Sequence, residues 1–348
     1  MKKQTKRNII LISVIVAIVV ATLLIWLLRR DQMEGSGPHD SSYQVEDTAS
    51  VSKIVMTDKL NNKMYLVRSE NGWDVDGKHP ASIPLVNNLL ETLKKMRIRS
   101  EVNRSAVPNV LKDIAAHGVQ VDIYQGDQLF QTYYVGRETQ DHMASFMIRK
   151  GDSIPCEIHI PGFRGYLTPI FTAEAIKWRS HSIVDLDVYN IARIELEIPN
   201  VPRESFAIVQ EDKDFYMELL EGHQRLKGFD TARVSQMLSS FKNLNFDEFA
   251  SIVPHNNVDS CVRGVPRSIL RIADTKGNTH EVKVYLKYSN PDNIKTMPDE
   301  KLREELDVNR LYAVIDNKDT VLIQNYIFDF ILQPASYFQG KNITLPIK

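Results

Sequence analysis

Between Ile9 and Leu28 the chain runs for twenty residues without a charge, and only Ser13 and Thr22 in that run are polar. In hydrocarbon such a stretch has one structure open to it, a helix, because a helix closes its backbone hydrogen bonds internally. At 1.5 Å per residue its length matches a bilayer core of about 30 Å. A cleaved signal peptide would end its apolar core at a small-residue site, whereas this run ends Leu24-Ile25-Trp26-Leu27-Leu28-Arg29. No cysteine precedes Cys156, which removes N-terminal lipidation as a reading. A buried soluble helix would rarely be apolar on every face over this length. Residues 8–28 are therefore read as an uncleaved signal anchor. Lys2, Lys3, Lys6 and Arg7 precede it and only Arg29 and Arg30 follow closely, so the positive-inside rule keeps residues 1–7 in the cytoplasm. The expected location is the bacterial inner membrane, crossed once, with the ectodomain in the periplasm.

Charge divides the same way. All six cations up to Arg30 belong to the anchor region, which leaves 37 Lys+Arg against 44 Asp+Glu, a net of −7, for the rest. An acidic ectodomain without a basic, aromatic-interleaved block is poorly suited to phosphate backbones, so no nucleic-acid partner is expected. Residues 29–50 read as a flexible linker, since Glu34-Gly35-Ser36-Gly37-Pro38-His39-Asp40-Ser41-Ser42 has no apolar residue.

Beyond residue 50 the hydrophobic pattern is written twice. Ser52–Thr57 and Lys63–Arg68 alternate as strands, and Asn71-Gly72 turns the chain into Trp73-Asp74-Val75. An amphipathic helix over Ser82–Met96 follows, with Ser82 as its N-cap. A short helical stretch covers Val107–Ala116, and a second hairpin turns at Gly126-Asp127. Strands are expected at Ser145–Arg149 and Glu157–Ile160, with a closing helix or turn over Gly162–Phe171. The order returns from about Asn190. In the helix expected over Asp230–Leu244, residues Val234, Leu238, Phe241, Leu244 and Phe246 stand 148 positions after Val86, Leu90, Leu93, Met96 and Ile98. The fold class expected is α+β: an anchor helix followed by two tandem homologous repeats with mostly antiparallel sheets, at 51–184 and 185–348. The second repeat carries a charged insertion, Pro298–Asp307, read as helical.

The chemistry-bearing motifs are sparse. The chain has no Gly-rich phosphate loop, G-x-S-x-G elbow, H-E-x-x-H or C-x-x-C. Cys156 and His159 have a ligand-like spacing, but on a strand residues three apart face opposite sides, so neither a metal nor a cofactor is expected. Cys156 and Cys261 could pair in an oxidising compartment or remain buried thiols. Asp185-Leu186-Asp187 puts two carboxylates on one side of an extended segment, and His142 follows Asp141 in a polar loop. The densest unusual pattern is His159–Leu167, where Pro161, Gly162 and Gly165 fix the path of Phe163, Arg164 and Tyr166. These residue types anchor interfaces, so Phe163, Arg164, Tyr166, Trp178 and Arg179 are the candidate binding residues, set against the alternative that the aromatics cap a core.

Several segments together resemble a known bacterial family. They are Lys53-Ile54-Val55-Met56-Thr57-Asp58-Lys59, Gly72-Trp73-Asp74-Val75-Asp76-Gly77, His117–Tyr124, Tyr134-Val135-Gly136, Ile160–Tyr166 and Trp178-Arg179-Ser180. The chain resembles domain-of-unknown-function family 4340, in the single-span form found in Bacteroidota, over the first repeat to about Val184. Some relatives occur beside auxiliary parts of gliding-type ABC transporters, so the resemblance implies an accessory role in the envelope and supplies no catalytic residues. The expectation is a non-enzymatic periplasmic binding or scaffold protein with an envelope protein partner. The rivals are an envelope hydrolase using carboxylates such as Asp141, Asp185 or Asp187, and a small-ligand module using a cleft between repeats.

Overall fold

The computed structural model describes residues 43–340, apart from 71, 213, 254–257, 289–300 and 302–303. The expected anchor, the cytoplasmic tail and most of the linker lie outside the described residues. The described chain divides at Arg179/Ser180 into two compact units, five residues before the boundary expected from the sequence. Both are mostly antiparallel sheets accompanied by short helices, an α+β arrangement.

Unit 1 has nine strands: β1 (Val51–Thr57), β2 (Lys63–Ser69), β3 (Gly72–Val75), β4 (His79–Pro80), β5 (Arg97–Glu101), β6 (Val119–Gln125), β7 (Gln128–Glu138), β8 (Ser145–Arg149) and β9 (Cys156–His159). They form one sheet in the order β4-β3-β2-β1-β6-β7-β8-β9-β5. Alternation along each strand sends Ile54, Met56, Leu66, Val121, Ile123, Tyr133 and Val135 to one face. There they meet Val86, Leu89, Leu93 and Met96 from α1 (Ile83–Lys95) and its C-cap. That helix carries the chain beneath the sheet to its far edge, where β5 pairs with β9. Ser82 is the N-cap residue, but its side chain makes no capping hydrogen bond. A second helix, α2 (Val107–His117), packs on the other face through Ile114. The approach depends on Gly136, where a Cβ would lie 2.7 Å from Ile114 Cγ1.

The linker is shorter than the composition suggested. Tyr43 and Val45 are completely buried. The Tyr43 hydroxyl accepts from the Arg149 N–H at 3.1 Å, its carbonyl accepts from the Tyr133 hydroxyl at 2.7 Å, and its ring stacks on Tyr133. The Val45 N–H donates to the Leu93 carbonyl at 2.9 Å. Two large side chains with satisfied polar groups outweigh the polar residues around them, so residues 43–50 belong to the folded unit. Burial pushes the Tyr43 hydroxyl far above the ordinary tyrosine range.

Unit 2 contains β10 (Ser182–Val184), β11 (Ile191–Glu197), β12 (Phe206–Glu211), β13 (Asp214–Leu219), β14 (Leu244–Asn245), β15 (Glu248–Phe249), β16 (Ser268–Asp274), β17 (Thr279–Tyr288), β18 (Leu306–Ile315) and β19 (Asp319–Gln324). Its main sheet runs β13-β12-β11-β16-β17-β18-β19-β15, while β10 pairs with β14. Apart from β4, adding ten to each label of the first sheet gives the second. The pairing of β1 with β6 slips between Val51 and Lys53, and that of β11 with β16 slips between Ile191 and Arg193. Helices occupy matching places: α4 (Thr231–Ser239) precedes β15, and α5 (Val258–Val262) precedes β16, with α3 (Ala175–Trp178) closing unit 1. The described residues close with α6 (Asn325–Phe328) and α7 (Ala335–Phe338).

Two expectations need correction here. The helix expected to reach Leu244 stops at Ser239, because Ser239 and Ser240 turn their hydroxyls back onto the Ser235 and Gln236 carbonyls and Asn243 takes φ +55°. Leu244 then opens β14. Asp230 caps the helix through the Ala232 and Arg233 N–H groups. Of the helix read over Pro298–Asp307, the described residues Lys301 and Glu304 are helical and the Glu305 N–H donates to the Lys301 carbonyl at 3.2 Å, but its last two residues, Leu306 and Asp307, start β18.

Candidate interaction surface

In an antiparallel sheet alternate turns gather at opposite ends. The β1–β2 turn and the β7–β8 loop therefore share one end of unit 1, and the segment leaving β9 at His159 begins at that same end. Here the structure builds a rigid, mixed surface from short-range chemistry. Thr139 closes the β7–β8 loop: its N–H donates to the Ala144 carbonyl at 2.9 Å, and its hydroxyl accepts from the Ala144 N–H at 3.1 Å. Asp141 accepts from the Thr139 hydroxyl and the Met143 N–H, and pairs with Arg99 of β5 at 2.7 Å. The Thr139 hydroxyl foremost, then Arg99 and the Met143 amide, hold the Asp141 carboxyl at about 2. His142, in a left-handed conformation at φ +54°, places its ring 6.0 Å from that of Tyr166 and so links the loop to the segment beyond β9.

That segment is pinned from beneath. The Ser145 hydroxyl, fully buried, accepts from the N–H groups of Leu167 and Thr168 at 2.8 and 2.9 Å. The Thr168 hydroxyl donates to the Gly136 carbonyl. Above this anchorage the Phe163 N–H closes a turn onto the Ile160 carbonyl, and the Phe163 ring lies over Gly165. A Cβ at Gly165, where φ is +156°, would come within 2.9 Å of that ring. Glycine is needed there for the aromatic to lie flat. The result is a Phe163 side chain 48% exposed on a fixed backbone, with Arg164 exposed beside it and Met143 nearby on the facing loop. Among the described residues Arg164 has no hydrogen-bond or ion-pair partner, so its guanidinium is available to an outside group.

The five sequence candidates thus separate. Phe163, Arg164 and Tyr166 share one surface. Trp178 is buried in the unit 1 core, its indole N–H donating to the Thr172 carbonyl at 2.9 Å. Arg179 is half-buried at a bridge with Ala81, where the chain enters α1. Arg99 and Met143 join the surface without having been expected there. Their only sequence signal was the polar loop around His142, which gave no hint that β5 would start beside it.

Unit 2 holds a cavity of about 310 Å³ whose lining includes Val184, Asp185, Ile272, Asp274 and His280. Its polar groups are mostly engaged with their own neighbours. Asp274 accepts from the Lys276 and Asn278 N–H groups and from the Asn278 side chain. His280 Nδ1 lies 3.0 Å from the Asp316 carboxylate, whose other oxygen accepts from the Glu281 N–H at 2.8 Å. Lys242 sits 3.0 Å from Asp185 and 3.5 Å from Asp187, and its ammonium foremost holds the Asp185 carboxyl below its usual range. Neither Cys156 nor Cys261 is in a disulfide, and each is buried within its own unit. On β9, Cys156 is buried while His159 is only partly covered, as strand alternation requires.

A family model described as "Domain of unknown function (DUF4340)" matches residues 73–260. The match starts within β3 and ends in α5, so it crosses the division between the units and leaves out Lys53–Lys59, one of the segments that carried the resemblance. No curated protein and no solved structure gives a significant match.

Proposed function

Given that this chain belongs to the DUF4340 family, we propose that it is a membrane-anchored periplasmic binding or scaffold protein, an accessory subunit of an envelope complex such as an ABC-type transporter. The observation that carries the proposal is the surface at the β7–β8 end of unit 1, where an exposed Phe163 and a partnerless Arg164 stand on a backbone fixed by Ser145 and Gly165. An aromatic with a neighbouring arginine, pre-ordered and half-exposed, has the composition of an interface anchor. The charge-free run Ile9–Leu28 and its basic flank support anchorage in the inner membrane of a bacterium, in the single-span form of the family found in Bacteroidota. Among the described residues no helix is long and apolar enough to cross a membrane. The matching strand orders of the two sheets support an origin of the units by duplication.

The test is crosslinking in cells followed by purification of the full chain in mild detergent. A specific partner should be captured by the natural chain and lost, by tenfold or more, from the Phe163→Ala/Arg164→Glu double variant. Unchanged fluorescence of Trp73 and Trp178, both in unit 1, shows that the variant still folds. Recovery of monomer alone from the natural chain, or equal capture by both, sinks the proposal.

A second reading, a small-ligand module, draws on the unit 2 cavity and its His280–Asp316 pair. It requires a thermal shift with a polar small molecule that His280→Ala abolishes and Arg164→Glu leaves intact.

A further inference from the structure

The end of unit 1 opposite the Phe163 surface carries the β2–β3, β6–β7 and β8–β9 turns. Val51 opens β1 at this end, opposite Gln125, the last residue of β6, after the chain has entered at Tyr43, level with the middle of β7, where it is bonded to Arg149 and Met147 of β8. The tip of the β6–β7 hairpin lies level with the start of β1 and runs past the end of β8, where Arg149 pairs with Tyr133, and its register is broken. Tyr124 pairs with Leu129 but Ile123 pairs with Gln131, so Phe130 is the extra residue of a bulge. A bulge re-aims side chains that strict alternation would send to opposite faces. Leu129 and Phe130 are each left 48% exposed, next to Tyr124, over whose ring the Lys53 ammonium sits at 4.1 Å. An apolar pair at a hairpin tip, backed by a tyrosine and a lysine, has the layered composition of a group lying at a membrane–water interface.

We propose that this tip rests on the bilayer, with Leu129 and Phe130 at the headgroup–acyl boundary. The inference depends on the reading of Ile9–Leu28 as a span. Only the 14 residues from Arg29 to Ser42 separate that run from Tyr43. Even fully extended they reach about 50 Å, so Tyr43, three residues up β7 from Phe130 through its stacking partner Tyr133, is held within that distance of the lipid surface. Contact made by a tethered unit is an intramolecular event, and two side chains suffice where a free protein would need a larger patch. Charge has a small part in it: Lys53 and Lys150 stand against Asp127 in the turn, while Arg149 is paired with Asp152 at 3.2 Å. A mixed-sign tip favours apolar partition over attraction to anionic lipid, and the contact should therefore survive salt.

The experiment places an environment-sensitive fluorophore on the full chain at Phe130→Cys, and at Leu60→Cys in the β1–β2 turn of the opposite end. Both native thiols are buried and stay unlabelled in the folded protein. In vesicles of phosphatidylethanolamine and phosphatidylglycerol, lipid-borne nitroxides should quench the probe at 130 at least threefold more than the probe at 60. Aqueous iodide should show the reverse order, and both results should persist in half-molar salt. Equal quenching at the two positions overturns the proposal. Shielding of position 130 from iodide without quenching by lipid overturns it in favour of a protein contact. Release of the chain from vesicles by alkaline carbonate overturns the anchor reading and the tip contact together, whereas a retained chain with a water-exposed probe at 130 overturns the tip contact alone.

Discussion

The two sheets share a strand order yet present different faces to solvent. On unit 2, cations and carboxylates are stitched across the strands. Arg271 of β16 lies 2.7 Å from Glu195, 2.9 Å from Glu197 and 3.1 Å from Glu281, and Arg193 extends the lattice to Glu218 at 2.9 Å. On unit 1 the positions that correspond to Arg193, Glu195, Glu197, Arg271 and Glu281 hold Lys53, Val55, Thr57, Asp122 and Thr132, and the Asp122 carboxylate takes hydrogen bonds from Gln120 and Thr132. The inward alternation is the same in both, so the buried side chains set the topology and leave the outer face free to diverge. A strand order therefore says little about what either unit binds. The distinctive chemistry of unit 1 lies at its two ends, in the Phe163 surface and the Leu129–Phe130 tip.

The comparison can be broken most forcefully at Tyr43, whose place in unit 2 is taken by the smaller, buried Val184: the Leu186 N–H donates to the Phe241 carbonyl as the Val45 N–H does to that of Leu93. Replacing Tyr43 with alanine removes a fully buried ring and leaves the Tyr133 ring without its stacking partner. Loss of a buried aromatic costs about 3–5 kcal/mol. Denaturant unfolding followed by Trp73 and Trp178 fluorescence should show that loss in unit 1, while hydrogen exchange in β11 and β16 stays as it was. Equal destabilisation of both units would mean that they do not unfold independently.

A smaller effect is expected at Arg271. Replacement by leucine leaves Glu195, Glu197 and Glu281 facing one another on a partly exposed sheet, for a loss of about 1 kcal/mol in unit 2. The gap from the natural chain should narrow as salt is raised, because the charges are screened. A cost independent of salt would assign the guanidinium a packing role instead.

The smallest change is at Asp141, whose carboxyl sits near 2 against an ordinary 3.8. A native value below the unfolded one favours folding at pH above about 4, and that contribution fades as pH falls towards 2. An NMR titration should find this midpoint and see it rise towards the ordinary value in Arg99→Ala. No movement would leave the Thr139 hydroxyl and the Met143 amide as the whole cause.

Much of the fold was legible where local periodicity and packing agree. Val86, Leu89, Leu93 and Met96 announced α1, and the turns at Asn71-Gly72 and Gly126-Asp127 announced their hairpins. What escaped was decided by distant partners. Tyr43 stands alone in a polar segment, and its bonds to Tyr133 and Arg149 span about a hundred residues, beyond any periodic signal. Trp178 and Phe163 look alike as exposed-or-buried candidates in sequence. The Thr172 carbonyl draws one inward and Gly165 supports the other at the surface. Arg99 could not be placed in the site until the pairing of β5 with β9 was known.

The buried strap at Tyr43 also decides how load enters the molecule. Tension on the chain at residue 42 is not applied to the end of β1, where it would peel one strand from its neighbour bond by bond. It is taken up by a ring wedged against Tyr133 and by bonds to β8, and so is spread over the middle of the sheet in shear. A pull on the chain ahead of Tyr43 is thereby met by unit 1 as one stiff body and not by the unzipping of β1.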